Sequence, residues 1–240
     1  SPSKSLVESY LTKNGLPIHQ VGNTQYQGDH TFAAEVTDRD PRLAATIRTS
    51  GLSLTGIDDV WAISGYFGNR FVNPNLIDKP GGSSYTCITD APVMKLNEVL
   101  MNYIEAAAEL ADMGAYTLTQ ADFDKTINTI RDRPSTQMPH LVLAGSNLQV
   151  NGVTINDPER DADVTPIIWE IRRERRTELV YEGIRFNDLR RWSKLHYADM
   201  VRNPKANRGA YLDKTAFVAQ YNATHTTPIT VETLKGVKIE

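Results

Sequence analysis

Three glutamates fall one helical turn apart in a segment whose apolar spacing predicts a helix. Glu170, Glu174 and Glu178 are four residues apart, so their carboxylates form a row on one helix face. Such a row could bind a divalent metal or supply acid and base groups for catalysis. Nearby arginines favour a third interpretation, in which the carboxylates form structural ion pairs with arginines. A neighbouring positive charge lowers the pKa of a carboxyl group and keeps it ionised. The arginines within one turn are Arg172, Arg173, Arg175 and Arg176.

Other patterns with catalytic or metal-binding chemistry are missing from the sequence. The five histidines, at positions 19, 30, 140, 196 and 225, have no ligand spacing, and no Glu-x-x-His pair occurs. The single cysteine, Cys87, excludes an internal disulfide and a cysteine-rich zinc site. Walker, Gly-x-Gly-x-x-Gly and Gly-x-Ser-x-Gly motifs are also absent. We therefore expect no catalytic residue, no metal and no cofactor.

The run Arg172-Arg-Glu-Arg-Arg176 also has the composition of a nucleic-acid-binding helix. The chain as a whole has a net charge of −3, so it has no overall basic field to hold a polyanion. Burial of each large apolar side chain on the same segment contributes roughly 1.5–3 kcal/mol. An exposed ion pair contributes only about 0–1 kcal/mol. We therefore interpret the segment as a packing element and expect no nucleic-acid partner.

The helix that positions these charges is predicted from its cap and its apolar stripe. Thr165 is a suitable N-cap, and Pro166 is tolerated at the first helical position. Gly183 is expected to bend or divide the helix. Two charged residues lie within the stripe, where an unpaired charge is destabilising, so each needs a partner on a packed neighbour. The stripe consists of Ile168, Ile171, Arg175, Leu179, Glu182, Phe186 and Leu189.

A first long helix is predicted further upstream, from about Thr89 to Met113. Thr89 or Asp90 would cap it, and Gly114 would end it. Its apolar stripe is read as Val93, Leu96, Leu100, Tyr103, Ala107 and Leu110.

A second helix and a hairpin follow this first helix. The second helix is predicted to start at a capping box of Thr119 and Asp122 and to stop before Pro134. Residues 148–155 alternate about Asn151-Gly152, which is typical of a β-hairpin with a type I′ turn.

The sequence divides into two parts of different character. Residues 1–89 form an irregular, loop-rich region, with turn pairs such as Asp40-Pro41 that favour short strands and one short helix over long helices. Residues 90–240 form a helical region. No initiator methionine or leader segment begins the chain, so we expect one structural unit that is a fragment of a longer protein.

Four ordered segments resemble the SusD/RagB family. The third-helix string matches the family signature E-R-R-x-E-L-x-x-E-G-x-R-x-x-D-L-x-R-W at every fixed position. Residues 92–106 are similar to the preceding family helix, with Lys95 in place of the usual Arg and Asn97 in place of Ala. Residues 40–43 and 64–72 resemble further family segments. The signature residues are Glu174, Arg175, Arg176, Glu178, Leu179, Glu182, Gly183, Arg185, Asp188, Leu189, Arg191 and Trp192.

The resemblance implies a fold and a cellular role. The fold would be mainly α, a SusD-like (TPR-related helical) architecture of which this chain is the loop-rich and helical carboxy-terminal portion, with a small β-hairpin. Family members are lipoproteins on the outer-membrane surface of Bacteroidetes-type bacteria. They bind oligosaccharide or polysaccharide and deliver it to a SusC-like TonB-dependent transporter. The lipid anchor, the expected membrane contact, would lie outside this chain.

Candidate ligand contacts come from composition alone. Sugars stack on aromatic rings while amide and charged side chains bind the hydroxyls. The loop-rich region combines both residue types, although any one ring could instead anchor this region against the helices, as expected for Phe71. The candidates are Trp61, Tyr66, Phe67, Asn69, Arg70 and Tyr85.

Two other functions are kept open. The helical part could be a protein-interaction or lid module of the transporter, with peptide or other non-glycan cargo. An α-helical glycoside hydrolase would need two facing carboxylates, one with a raised pKa, and the sequence nominates no such pair.

Overall fold

The chain is mostly helical, with one small antiparallel sheet. A computed structural model describes residues 2–50, 64–71, 73–76, 79–80, 88 and 92–234. No helix in those ranges is long and apolar enough to cross a membrane.

Three short helices form the amino-terminal part, where the sequence suggested one. They are α1 (Lys4–Ser9), α2 (Phe32–Val36) and α3 (Pro41–Thr46). Each is preceded by a side chain that accepts a hydrogen bond from the first turn, and these N-caps are Ser3, Thr31 and Asp40. Capping allows helices of one or two turns to form at defined positions in a segment that is rich in turns.

Helix α4 (Leu96–Asp112) starts later than predicted. Residues 92–95 are not helical, and Lys95 is the N-cap; the predicted caps Thr89 and Asp90 lie outside the described residues. The predicted apolar stripe was only partly right, because Ala107 is buried and Leu100 packs against the core. Leu96, Tyr103 and Leu110 are exposed.

The buried face of α4 shares Ala107 with the predicted stripe and otherwise lies beside it. It consists of Met101, Ile104, Glu105, Ala107 and Ala108. Apolar residues occupy both faces of this helix, so periodicity by itself could not select the inner one.

The second helical segment begins as predicted. Thr119 and Asp122 form a capping box at the start of α5 (Gln120–Phe123). A π-helical turn, Asp124–Asn128, then leads into α6 (Thr129–Arg131). The predicted stripe of Phe123, Ile127 and Ile130 is buried, and it packs against α4.

The predicted hairpin is confirmed and belongs to a larger sheet. Strands β1 (Val142–Ala144), β2 (Asn147–Val150) and β3 (Val153–Thr154) are antiparallel, in the order β1-β2-β3. Asn151 and Gly152 both have positive φ angles, of 49° and 78°, as a type I′ turn requires.

The signature segment forms two helices. Thr165 caps α7 (Pro166–Glu178), and α8 (Arg185–Arg191) follows a break that includes Gly183 at φ 78°. The first helix therefore ends before the predicted division. Ile168, Ile171, Leu179 and Leu189 are buried, whereas Phe186 is exposed, contrary to the predicted stripe.

A final helix, α9 (Lys214–Thr224), and four 3₁₀ turns complete the described part. The turns are Pro74–Leu76, Leu195–Ala198, Pro204–Asn207 and Val231–Leu234. Gly209 lies so close to the Ser64 carbonyl oxygen that an added Cβ would clash with it. Ala210 N donates to the same oxygen at 2.8 Å, which joins the two loop segments.

Two apolar clusters form the core. The larger combines α4, the second helical segment, the sheet and α7, with Met101, Ile127 and Ile171 at its centre. The smaller joins α1 and α3 to Tyr66, Val180 and Ala210. Helix α7 contributes to the first cluster, and the residues that follow it contribute to the second.

A buried charge network lies beside these clusters, with Arg42 at its centre. The Arg42 guanidinium donates to both Asp40 carboxylate oxygens, at 3.0 and 2.6 Å. It also donates to Glu174, at 2.9 Å, and to Glu178, at 3.2 Å. All four residues are buried, so the segment at residues 40–43 is joined to α7 by ion pairs inside the protein.

Residues 64–72 and 92–106, the other segments similar to the family, are joined by ion pairs and hydrogen bonds to α8 and to the residues between α7 and α8. Glu182 accepts from Arg70 at 2.9 Å and from Lys95 at 2.6 Å. Glu105 of α4 accepts from the Trp192 indole at 2.6 Å and from Arg191. Residues that are distant in sequence are therefore joined by buried or half-buried ion pairs and hydrogen bonds.

Arg175 has the partners that its place in the stripe demanded. Its guanidinium donates to Asp188 at 2.9 Å and to Asn102 at 2.7 Å, and it lies 3.6 Å from Glu105. These contacts connect α7 to both α8 and α4, and they confirm the expectation that the buried charge is paired.

Replacing Arg175 by Met should lower the free energy of unfolding by about 3 kcal/mol, the lower end for breaking a buried ion pair. The loss stays at the lower end because Arg191 still pairs with Asp188 and Glu105. Urea unfolding of both proteins measures it. Arg190→Met, on the exposed side of α8, is the matched control and should change stability by less than about 0.5 kcal/mol. Equal stabilities for the two variants would show that Arg175 is not a packing charge.

Candidate functional site

Two of the three glutamates on α7, Glu174 and Glu178, form ion pairs with arginines from other elements. Arg131 donates to Glu174 through Nε at 3.0 Å and also through Nη2, and Arg42 binds the other oxygen. These two cations outweigh the cost of burial and lower the pKa of Glu174 to about 2. Glu174 is therefore a permanently ionised structural group near neutral pH.

Glu178 is held in the same way. Its carboxylate accepts from Arg133 at 2.6 Å, from Asn97 at 2.7 Å and from Arg42. The pKa of Glu178 is lowered because Arg42 and Arg133 offset its burial. Sequence reasoning expected the arginines of α7 itself to provide these contacts. For Glu174 and Glu178 they come instead from α3 and from residues 131–133.

Glu170 departs from the expectation of a lowered pKa. Burial raises its pKa, and this effect exceeds the opposing influence of Arg173. Arg173 lies 2.9 Å from Glu170 and also binds Asp157, whose pKa it lowers. One guanidinium thus binds both carboxylates, so neither is an unpaired acid or base. No group of acidic, histidine or cysteine side chains in the described ranges could hold a metal ion.

The predicted ligand residues lie in three kinds of environment. Trp61 and Tyr85 fall outside the described residues. Tyr66 is 1% exposed, and its hydroxyl donates to Glu35 at 2.6 Å, so its ring has no accessible face. Phe67, Asn69 and Arg70 are partly exposed.

The loop that carries these three residues is fastened to the end of α3. Asn69 donates to the Thr46 carbonyl at 2.8 Å through its backbone and to the Ala44 carbonyl at 3.1 Å through its side chain. Arg48 N donates to the Phe67 carbonyl at 2.9 Å, and the Arg48 guanidinium lies 4.5 Å from the Phe67 ring centre. The loop is thereby held in position against a helix.

Two further rings lie beside this loop. Phe71 is 55% exposed and Tyr181 is 45% exposed. The Tyr181 hydroxyl would lie 3.4 Å from a Cβ at Gly68, and Lys95 lies 4.9 Å from the Phe71 ring centre. Phe71 was expected to anchor the loop region against the helices; its ring is about half exposed, and its contact with α4 is made through the N-cap residue Lys95.

Both exposed rings sit on unusual backbone. Phe71 has φ 70° and Tyr181 has φ 63°, a conformation that bulky residues adopt at a cost of about 1–3 kcal/mol. Such strain is concentrated at functional sites in proteins. We call the group of Phe67, Asn69, Arg70, Phe71 and Tyr181 the ring surface.

Sequence reasoning named three of these five residues and missed the role of two. Tyr181 stands at a variable position of the signature string, where nothing marked it. The signal that could have identified it is the predicted helix break at Gly183, since a ring just before such a break leaves the regular helix.

A polar cavity of about 290 Å³ lies between the sheet and the start of α7. It is lined by amide and charged side chains that include Asn147, Asn156 and Arg160, together with Asp157 and Glu170. No aromatic ring lines it. The ring surface therefore has the better composition for a sugar.

Comparison with known proteins extends the resemblance seen in the sequence. The model of the SusD family matches residues 1–56 and 53–233. A comparison with curated protein sequences gives no match.

Two solved structures share the fold. One is a SusD-like carbohydrate binding protein from Bacteroides fragilis NCTC 9343, with 27% sequence identity and a TM-score of 0.53 over 82% of this chain and 36% of that protein. The other is the selenomethionine form of BT4246, with 21% identity and a TM-score of 0.54 over 82% of this chain and 35% of that protein. The chain thus spans about a third of each.

The ionised state of Glu174 makes stability depend on pH in a defined window. Its pKa falls from 4.5 to about 2 on folding, so its contribution is fully present above pH 4.5 and disappears as the pH falls through 2. Glu174→Gln should therefore lose about 3–5 kcal/mol at pH 7. The difference from the unmodified protein should shrink below pH 4.5. Urea unfolding between pH 7 and pH 3 measures both effects.

Glu170→Gln is the matched control. The pKa of Glu170 is raised, so its neutral form is favoured by folding and its substitution should cost less at pH 7. A loss for Glu174→Gln that stays constant down to pH 3 would contradict the assignment of Glu174 as a structural anion.

Proposed function

Because the chain belongs to the SusD family, we propose that it binds oligosaccharides at the cell surface and passes them to a SusC-like TonB-dependent transporter. The protein would be attached to the extracellular face of the outer membrane by a lipid anchor outside this chain. It would act by binding and not by catalysis. The charges of its signature helices support this view, since the glutamate row of α7 is ion-paired with arginines.

The ring surface is the observation that carries the proposal. Phe71 and Tyr181 expose ring area that could stack on the C–H faces of a sugar. The partly exposed side chains of Asn69 and Arg70 lie on the same loop and could bind hydroxyls. The Arg70 guanidinium is itself held by the Glu178 carbonyl and by Glu182, so a ligand would meet a fixed donor and lose little entropy in ordering it.

The Bacteroides fragilis relative supports the choice of cargo. It is described as a carbohydrate binding protein. We extend that description to this chain as a proposal, with Trp61 and Tyr85 as further ligand candidates from the same loop-rich region.

A second candidate function is a protein-interaction module whose cargo is a peptide or another non-glycan ligand. The observation that favours it is the outer face of α4, where apolar side chains are exposed at steps of three, four and seven. This face consists of Leu96, Val99, Tyr103, Leu110 and Met113. An exposed apolar stripe of this kind is typical of a helix that packs against another protein surface.

Calorimetric titration with a panel of neutral oligosaccharides tests the first function. Saturable binding to at least one glycan would support it. If no glycan binds while immobilised transporter retains the chain, and Leu110→Lys abolishes retention, the interaction module is favoured instead.

Phe71→Ala and Tyr181→Ala should each weaken glycan binding at least about tenfold. Each change removes one aromatic ring, and the stacking of one ring on a sugar contributes about 1 kcal/mol or more to the binding free energy. Neither change should lower the melting temperature greatly, since each ring is only about half buried. Titration calorimetry measures the affinity. The substitutions should not relieve backbone strain, because alanine disfavours a positive φ angle as phenylalanine and tyrosine do.

Tyr116→Ala provides the matched control. Tyr116 is exposed beyond the carboxyl end of α4, and Lys95 caps the opposite end of that helix. Glycan affinity should therefore be unchanged in this variant. Unaltered affinity in all three variants would place the sugar elsewhere.

A further inference from the structure

A small cavity between α7 and the segment that begins with α8 is lined by an unusual number of cations. Its volume is about 80 Å³. We call it the arginine cavity, and its charged lining consists of Arg172, Arg173, Arg176, Arg185 and Lys194. No acidic side chain is among its lining residues.

Three of the five cations are paired with carboxylates outside the cavity. Arg173 binds Glu170 and Asp157, as described above. Lys194 donates to Asp163 at 2.7 Å, and Arg172 donates to Glu109 at 3.1 Å through Nη2. These charges are offset by the protein itself.

The other two cations have no carboxylate partner in the described part of the chain. Arg176 donates to the neutral Ser5 hydroxyl at 3.1 Å. Arg185 forms no hydrogen bond or ion pair with a described residue, and its guanidinium lies 5.4 Å from the Trp192 ring centre. Burial, reinforced by nearby Arg185, lowers the pKa of Arg176 to about 9. Glu8 and Asp188 act electrostatically on Arg176 and Arg185, but neither cation is ion-paired with a carboxylate among the described residues.

One donor at the cavity is also left without a partner. The Nε atom of Arg172 is buried and makes no hydrogen bond with a described residue. A buried donor without an acceptor destabilises the folded state. An acceptor placed among these guanidinium groups would remove that cost and would offset the surplus charge.

Trp192 holds two of the arginines in place. The Arg172 guanidinium lies 4.6 Å from its ring centre, and Arg185 packs on the same ring. The indole itself is fixed by its hydrogen bond to Glu105. The donors are therefore oriented before any ligand arrives, and a planar guanidinium fork is suited to carboxylate, sulfate or phosphate oxygens.

We propose that the arginine cavity binds a single oxyanion group, either an inorganic anion such as sulfate or the carboxylate or sulfate group of an acidic sugar. The small volume admits one such group and excludes a nucleotide or a polyanion. This site is separate in composition from the ring surface, and it goes beyond the glycan binding proposed above.

Thermal unfolding of the 240-residue chain with sodium sulfate, against sodium chloride at the same ionic strength, tests the proposal. Sulfate at ten times its dissociation constant should raise the melting temperature by about 3–6 °C relative to chloride. Titration calorimetry should give a saturable isotherm with one site.

The double variant Arg176→Gln/Arg185→Gln should lose the sulfate shift. Without sulfate it should melt no lower than the unmodified protein, because two repelling cations are removed. Arg190→Gln, on the exposed side of α8 and outside the cavity lining, should keep the full shift. If the double variant does not fold, Arg185→Gln alone serves, with at least a tenfold weaker affinity for sulfate expected.

Equal shifts in sulfate and chloride, or a sulfate shift that survives in the double variant, would overturn the proposal. Titration with galacturonate and with neutral galactose then identifies the source of the anion. Galacturonate binding that competes with sulfate would assign the site to an acidic sugar, whereas sulfate binding alone would assign it to a free ion. Because the first arm uses an inorganic salt, its result does not depend on whether the ring surface binds glycan.

Discussion

The structure depends on carboxylates of α7 that are buried together with arginines from distant parts of the chain. Removing a carboxylate from water costs several kilocalories per mole, which only close and well-oriented cations recover. Glu174 meets this condition with Arg42 and Arg131, and Glu178 meets it with Arg42 and Arg133. An arrangement that separated residues 40–43 or 131–133 from α7 would leave these charges buried and unpaired. The network therefore favours one packing arrangement over other compact ones.

This constraint explains why we assign no catalytic role to the glutamates of α7, although their spacing resembles that of acid and base groups. Their oxygens are already occupied by guanidinium groups, and the pKa of Glu174 is held far below neutrality. Ligand binding is then left to side chains at the edge of the network. Arg70 and Lys95 both pair with Glu182 and both lie near the Phe71 ring, so the ring surface is supported directly by the signature helices. The scaffold and the proposed site thus share residues.

The same arginine-rich helix also carries more positive charge than its own carboxylates offset. Four of its positions are arginine, and their side chains leave the helix in different directions. Arg175 points to Asp188 and Asn102, and Arg173 points to Asp157 and Glu170. Among the described residues, the one hydrogen-bond partner of the Arg176 side chain is the Ser5 hydroxyl. A string that looks uniform in sequence therefore separates into structural cations and cations that remain available to an external anion.

Local signals in the sequence determined much of the secondary structure. Thr165 with Pro166, the capping box of Thr119 and Asp122, and the Asn151-Gly152 turn each specify an element boundary through backbone groups that lie within a few residues. The signature string likewise identified the family, and the position of Arg175 and Glu182 in an apolar stripe required that both be paired.

Only the tertiary structure decided which face of α4 is buried, which arginine binds which glutamate and which rings remain exposed. Apolar residues lie on both sides of α4, so its inner face depends on what packs there. The partners of Glu174 are 132 and 43 residues away, and no local pattern can select them. Tyr181 lies beside Gly68, on the loop that carries Phe71, because ion pairs bring that loop and the helix break together. The balance of charge at a buried site is likewise a sum over neighbours that exist only once the chain has folded.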